Sequence, residues 1–115
     1  MRNLLMTALL LVLGSSVALT ANKTFTGEIM DSACAKMGNH DAGYKMTGTH
    51  TPKECTLACV KAGSKFVLYN PTTRTIYQLD NQTTPRAFAG ESVKVVGTYN
   101  ASDKMIHVVR IEPAG

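Results

Sequence analysis

The chain has 115 residues, of which 44% are hydrophobic and 17% are charged, and its formal net charge is +4. This length predicts one small domain. The mild positive excess, spread without charge runs, predicts solubility and weak attraction to anionic surfaces and nothing more specific. No Gly-rich phosphate loop, pair of catalytic carboxylates or Ser–His–Asp arrangement is recognisable. We therefore expect a binding or structural module, not an enzyme.

Residues 1–21 have the three-part pattern of a secretory signal peptide. A short basic start precedes the apolar run Leu4–Leu13, and small residues follow. The run is shorter than the roughly 20 residues that a bilayer span needs. We expect cleavage near 18–21, export to the periplasm or the extracellular space, and a single mature domain over 22–115 without a membrane span. Export also argues against a nucleic-acid partner.

Five runs in the mature chain have the composition and spacing of β-strands. The predicted strands are 24–30, 65–70, 75–80, 91–99 and 105–111. Gly97 predicts a bend or bulge in the fourth strand, and a short helix is predicted over 86–89, between strands 3 and 4. This order predicts a mainly β fold, a small five-stranded OB-like Greek-key barrel, with a helix-containing insertion between strands 1 and 2.

The insertion, residues 31–64, is too polar and glycine-rich to be held together by its own apolar burial. Ser32–Met37 predicts one helical turn, and the aperiodic stretch Gly38–His50 predicts a loop. A Thr-Pro-Lys-Glu run then predicts a capped helix over Pro52–Ala62. Gly63 supplies the left-handed residue that ends this helix.

All three cysteines and two of the three histidines lie in this insertion. Cys55 and Cys59 are one helical turn apart, which separates their β-carbons by about 6 Å, whereas a disulfide needs roughly 3.5 to 4.5 Å. We therefore expect a disulfide from Cys34 to Cys55 or Cys59, with one thiol left over. Closing that loop would stabilise the fold by roughly 3 to 4 kcal/mol.

A metal site is the alternative use of the same atoms. Cys34, Cys55 and Cys59 with either His50 or His40 would form a set of three sulfurs and one nitrogen that suits structural zinc. Thiolates close to methionines would also suit copper(I). The methionines of this region are Met30, Met37 and Met46. A third reading is redox chemistry at Cys55, since a helix N-terminus lowers the pKa of a cysteine.

Three motifs carry a family resemblance. They are Gly-Glu-Ile-Met-Asp-Ser-Ala-Cys at 27–34, Glu-Cys-Thr-x-x-Cys-Val-Lys-x-Gly at 54–63 and Ala-Gly-x-x-Val-x-Val-x-Gly-Thr at 89–98. Together they resemble a family of small exported bacterial domains of unknown function. The resemblance implies export, an OB-like barrel and an important cysteine cluster. It names no ligand or partner, and a component of the cell envelope is the partner class compatible with export.

Overall fold

The computed structural model describes Gly14 and residues 21–115. The predicted signal peptide therefore lies outside the described residues, apart from Gly14 and Ala21. The strands are β1 (Lys23–Asp31), β2 (Phe66–Asn70), β3 (Thr75–Leu79), β4 (Ser92–Asn100) and β5 (Met105–Pro113). The helices are α1 (Ser32–Met37), α2 (Asp41–Thr47), α3 (Pro52–Lys61) and a 3₁₀ turn, Thr84–Phe88. The prediction of a mainly β fold with five strands is confirmed. Among the described helices, none has the length and apolar character needed to cross a bilayer.

Each of the five strands pairs with two others. β1 pairs antiparallel with β2 and with β4, β2 pairs with β3, and β4 pairs with β5. The one parallel ladder joins β3 to β5, where Gln78 lies opposite Met105 and Leu79 opposite Ile106. The strand order along these pairings is β1-β2-β3-β5-β4.

Alternate residues of the strands fill the main hydrophobic core, since successive side chains of a strand point to opposite faces. The buried members of this core are Ile29, Phe66, Leu68, Leu79, Ala89, Val93, Val95, Ile106 and Ile111. The half-buried residues Phe25 and Tyr77 pack against this core, and their ring centroids are 5.2 Å apart. The core therefore draws on all five strands.

The bend predicted at Gly97 is confirmed. The register between β4 and β5 shifts between Val96 and Gly97, which is the pattern of a β-bulge. A β-carbon added to Gly97 would lie 2.0 Å from the backbone oxygen of His107. Only glycine therefore fits here, because the neighbouring strand approaches its backbone so closely.

The two helices predicted from capping signals form at the expected places. Asp31 caps α1 by accepting the N–H of Cys34, and Gly38 ends it in the left-handed region. Thr51 caps α3 by accepting the N–H of Glu54 over 3.2 Å. The Glu54 carboxylate accepts the N–H of His50 over 3.4 Å.

The stretch Gly38–His50 was expected to be a loop, and that prediction is wrong in its central part. Asp41–Thr47 forms α2, which starts without a side-chain cap and ends at Gly48 in the left-handed region. Gly43, a poor helix former, occupies the middle of the helix and is buried. The local sequence thus opposes a helix, and packing against the rest of the insertion makes α2 stable.

The insertion covers the second face of β1 and β2. Its buried contacts form a separate apolar cluster of Met30, Cys34, Ala35, Cys55, Val67 and Tyr69. Because β2 contributes alternate residues to this cluster and to the main core, Phe66 to Tyr69 are all buried. The sheet beneath the insertion therefore holds part of it in place.

The short helix predicted over 86–89 is the 3₁₀ turn, which begins two residues earlier than expected. Just after it, Gly90 has a φ of +74° and donates its N–H to the carbonyl of Ile29 over 2.8 Å. A β-carbon at Gly90 would lie 2.4 Å from the backbone nitrogen of Lys53. This close approach fixes the start of α3 beside β1.

Candidate functional site

The three cysteines meet where α1, α2 and α3 pack on the sheet. Cys34 lies in the first turn of α1, directly after β1, and Cys55 and Cys59 lie one turn apart on α3. Cys55 is fully buried and Cys34 is 4% exposed, whereas Cys59 is half-buried. The structure thus brings together the three cysteines that were predicted to form the site.

Asp31 is the fourth member of this group. One carboxylate oxygen of Asp31 and the three sulfur atoms all lie within 4.8 Å of one another. Asp31 is fully buried: its Oδ2 accepts the N–H of Cys34 over 3.0 Å, and its Oδ1 has no hydrogen-bond partner. Such an unpaired buried oxygen is costly unless a cation or a proton donor satisfies it.

Gly43 forms the cover of the cysteine cluster. A β-carbon at this position would lie 2.5 Å from Cys55 Sγ, 2.7 Å from Cys34 Sγ and 3.9 Å from Cys59 Sγ. The backbone of α2 can approach the sulfurs only because residue 43 has no side chain. Sequence reasoning missed both Asp31 and Gly43 as site residues, although Asp31 stands three positions before Cys34 as its helix cap.

The predicted disulfide from Cys34 to Cys55 or Cys59 is not formed. All three cysteines belong to the described part of the chain, and all three are free. The sulfurs of Cys34 and Cys55 are 4.0 Å apart, compared with about 2.05 Å in a disulfide. Buried contacts with β1 and β2 hold the insertion without a covalent link.

The two histidines considered as ligands lie outside this group of four residues. His40 is buried, and its Nε2 lies 3.0 Å from Glu28 Oε2 on β1. Its ring stacks on Tyr44, with centroids 5.7 Å apart. His50 is exposed and precedes the cap of α3. Asp31 therefore occupies the place in the cluster that the sequence had suggested for a histidine.

Burial shifts the titration of two of the thiols. It raises the pKa of Cys34 far above the usual range, and the hydrogen bond and negative charge of Asp31 add to the shift. Burial likewise raises the pKa of Cys59 to about 11, with Asp31 again contributing. Both thiols are protonated at neutral pH, so a metal ion that binds them must displace protons. A raised pKa also makes a thiol a weaker nucleophile.

The third histidine makes a separate contact on β5. Asp80 accepts the N–H of Val108 over 2.9 Å through one carboxylate oxygen and pairs with His107 Nδ1 through the other. The His107 side chain is 72% exposed. Burial alone would raise the pKa of Asp80, but the bonds from Val108 and His107 outweigh it and lower that pKa. This pair ties the end of β3 to β5.

No protein-family model, curated protein or solved structure matches this chain. The resemblance carried by the motifs at 27–34, 54–63 and 89–98 stays a prediction.

Proposed function

We propose that this chain is an exported, OB-like binding module that holds a thiophilic metal ion, zinc or copper, with Cys34, Cys55, Cys59 and Asp31. The observation that carries the proposal is that four potential ligand atoms from these residues lie within 4.8 Å of one another. Asp31 adds a fully buried carboxylate oxygen with no partner. A bound metal ion would pair with that oxygen and would replace the protons of the thiols.

The spacing of the sulfurs fits metal ligation. A tetrahedral zinc ion with metal–sulfur bonds of about 2.3 Å holds its sulfurs about 3.8 Å apart. Cys34 Sγ and Cys55 Sγ are 4.0 Å apart. A β-carbon at Gly43 would clash with both sulfurs, so on this side only the backbone of α2 covers the cluster.

The fold that we propose for this module is an OB-like Greek-key barrel. Two observations support it: every strand has two partners in the order β1-β2-β3-β5-β4, and a short helical turn stands between β3 and β4. The insertion between β1 and β2 places the cluster on the side of the sheet away from the main core. The pattern of residues 1–21 supports export.

Metal titration of the purified, reduced protein tests the proposal. Cobalt(II), used as a spectroscopic substitute for zinc, should bind one ion per chain and give thiolate-to-cobalt absorption that zinc abolishes. Asp31→Asn keeps an oxygen that can cap α1 and removes the carboxylate, so zinc affinity should fall at least about tenfold. Asp41→Asn removes the same charge from an exposed position of α2 and should leave the affinity unchanged.

Alkylation of the thiols gives the outcome that would contradict the proposal. Bound metal should slow the alkylation of the cysteines in the folded protein. If neither zinc nor copper(I) changes the alkylation of Cys34 or Cys59, the cluster does not bind metal. A loss of zinc affinity in Asp41→Asn equal to that in Asp31→Asn would show that only long-range charge matters.

Intact mass measured on protein purified without reductant is a further check of the proposal. Full-mass protein with stoichiometric metal would support the metal site, whereas a loss of two hydrogens without bound metal would contradict it.

A further inference from the structure

A groove opens onto the cysteine cluster from the solvent side. Its volume is about 530 Å³, and it lies between α1, α2 and the C-terminal part of α3. Its sulfur-bearing lining residues are Cys34, Cys59, Met37 and Met46. The groove therefore reaches two of the three thiols, and the half-buried Cys59 is reached without opening the core.

Met37 and Met46 are unusually exposed for apolar side chains. Met37 is 64% exposed and Met46 is 86% exposed. Neither belongs to either apolar cluster, so packing does not account for their presence. A methionine in contact with water retains a polarizable thioether that can bind soft metal ions.

The sulfur groups that line the groove thus differ between its exposed and its buried ends. Neutral thioethers lie at its exposed positions, and thiols that must lose protons lie deeper. Zinc is bound by thiolate, imidazole and carboxylate ligands, whereas thioether sulfur selects copper(I). A closed structural zinc site would have no use for such a groove, since its four ligands seal the ion from solvent.

We propose that the groove admits a soft monovalent ion, copper(I), which Met37 and Met46 bind first and then pass to Cys59, Cys34 and Cys55. This inference rests on the proposed metal-binding function and specifies its ion and route. In the transfer, the metal–thioether bonds break, metal–thiolate bonds form, and each thiol that binds releases its proton to water. The ion keeps its oxidation state throughout.

Silver(I), a redox-stable substitute for copper(I), is the probe that tests the route. In protein carrying ¹³C-labelled methionine methyl groups, a first equivalent of silver(I) should occupy the thiols, and a second equivalent should then shift the resonances of Met37 and Met46. Met105, on β5 and outside the groove, should not shift. Zinc should leave the Met37 and Met46 resonances in place, because thioethers are poor ligands for it.

Substitution of the two methionines tests the transfer itself. Met37→Leu combined with Met46→Leu conserves volume, so the fold should persist. Metal loading from a small-molecule copper(I) donor should become about tenfold slower, which corresponds to a rise of about 1.4 kcal/mol in the activation free energy of loading. The final stoichiometry should stay at one ion per chain. Met105→Leu is the matched control and should load at the original rate.

The outcomes separate this inference from the function on which it rests. If silver(I) protects the thiols from alkylation but neither methionine resonance moves and loading is not slowed, the route is wrong and the metal site stands. If silver(I) and copper(I) fail to protect the thiols while zinc protects them, the site takes zinc and the inference falls. If no metal protects them, both proposals fail.

Discussion

Replacing Gly43 by alanine tests the central packing contact of the site. The added β-carbon would lie 2.5 Å from Cys55 Sγ and 2.7 Å from Cys34 Sγ, against roughly 3.5 to 4.0 Å for an ordinary contact. Both sulfurs are buried and sit one bond beyond their own β-carbons, so they have little freedom to move. Either α2 or the two cysteines must shift by about 1 Å to accept the methyl group.

The expected change in stability is the difference of two terms. Overpacking a buried site costs roughly 1 to 3 kcal/mol. Alanine in place of glycine inside a helix returns about 0.5 to 1 kcal/mol. We expect a net loss of about 1 kcal/mol in the free energy of unfolding, which lowers Tm by about 4 to 8 °C for a domain of this size. The same shift would move Cys34 Sγ and Cys55 Sγ from their present spacing, so affinity for cobalt(II) should fall at least about tenfold.

Thermal unfolding followed by circular dichroism, together with the cobalt(II) titration, measures both effects. Ala42→Ser is the matched control, since it adds one heavy atom at the adjacent, exposed position of α2. Its stability should change by less than about 0.5 kcal/mol. A Gly43→Ala protein that is as stable as the original, or more stable, would refute the close approach of α2 to the sulfurs.

Three further predictions use other parts of the chain. Gly97→Ala should cost more than about 2 kcal/mol in urea unfolding, because its β-carbon would meet the His107 backbone oxygen; a smaller loss would contradict the tight bulge. His40→Ala and His50→Ala should keep one cobalt(II) per chain in the same titration, and a reduced stoichiometry in either would return a histidine to the ligand set. Asp80 has a lowered pKa in the folded state. Its ionised carboxylate therefore stabilises the folded state at pH values above the unfolded pKa of about 3.9, and this stabilisation is lost as pH falls through the folded pKa. Asp80→Asn should therefore unfold at lower urea than the original at pH 7 but not at pH 2, and a constant difference across this range would refute the assignment.

Local signals predicted much of the secondary structure. Asp31 and Gly38 bracket α1, and Thr51 with Pro52 starts α3, because a cap acts through hydrogen bonds within a few residues. Alternating apolar residues predicted the five strands for a similar reason, since the strand period is a local property. The bulge at Gly97 followed from the unusual glycine in an apolar strand.

The helix α2 shows where such signals end. Gly43 reads locally as a helix breaker, so the stretch around it was predicted to be a loop. In the folded protein the same glycine permits the contact between α2 and the sulfurs of α1 and α3. The local cost and the tertiary gain have opposite signs, and only the packed structure shows which is larger.

The sequence by itself determined that three cysteines lie in one insertion and that two capped helices carry them. Only the tertiary structure decided that Asp31 completes their cluster, that His40 pairs with Glu28, and that no disulfide forms. The physical reason is distance along the chain. Caps and strand periods act over a few residues, whereas Cys34 and Cys55 are 21 residues apart, and the 4.0 Å between their sulfurs is set by how both helices pack on the sheet.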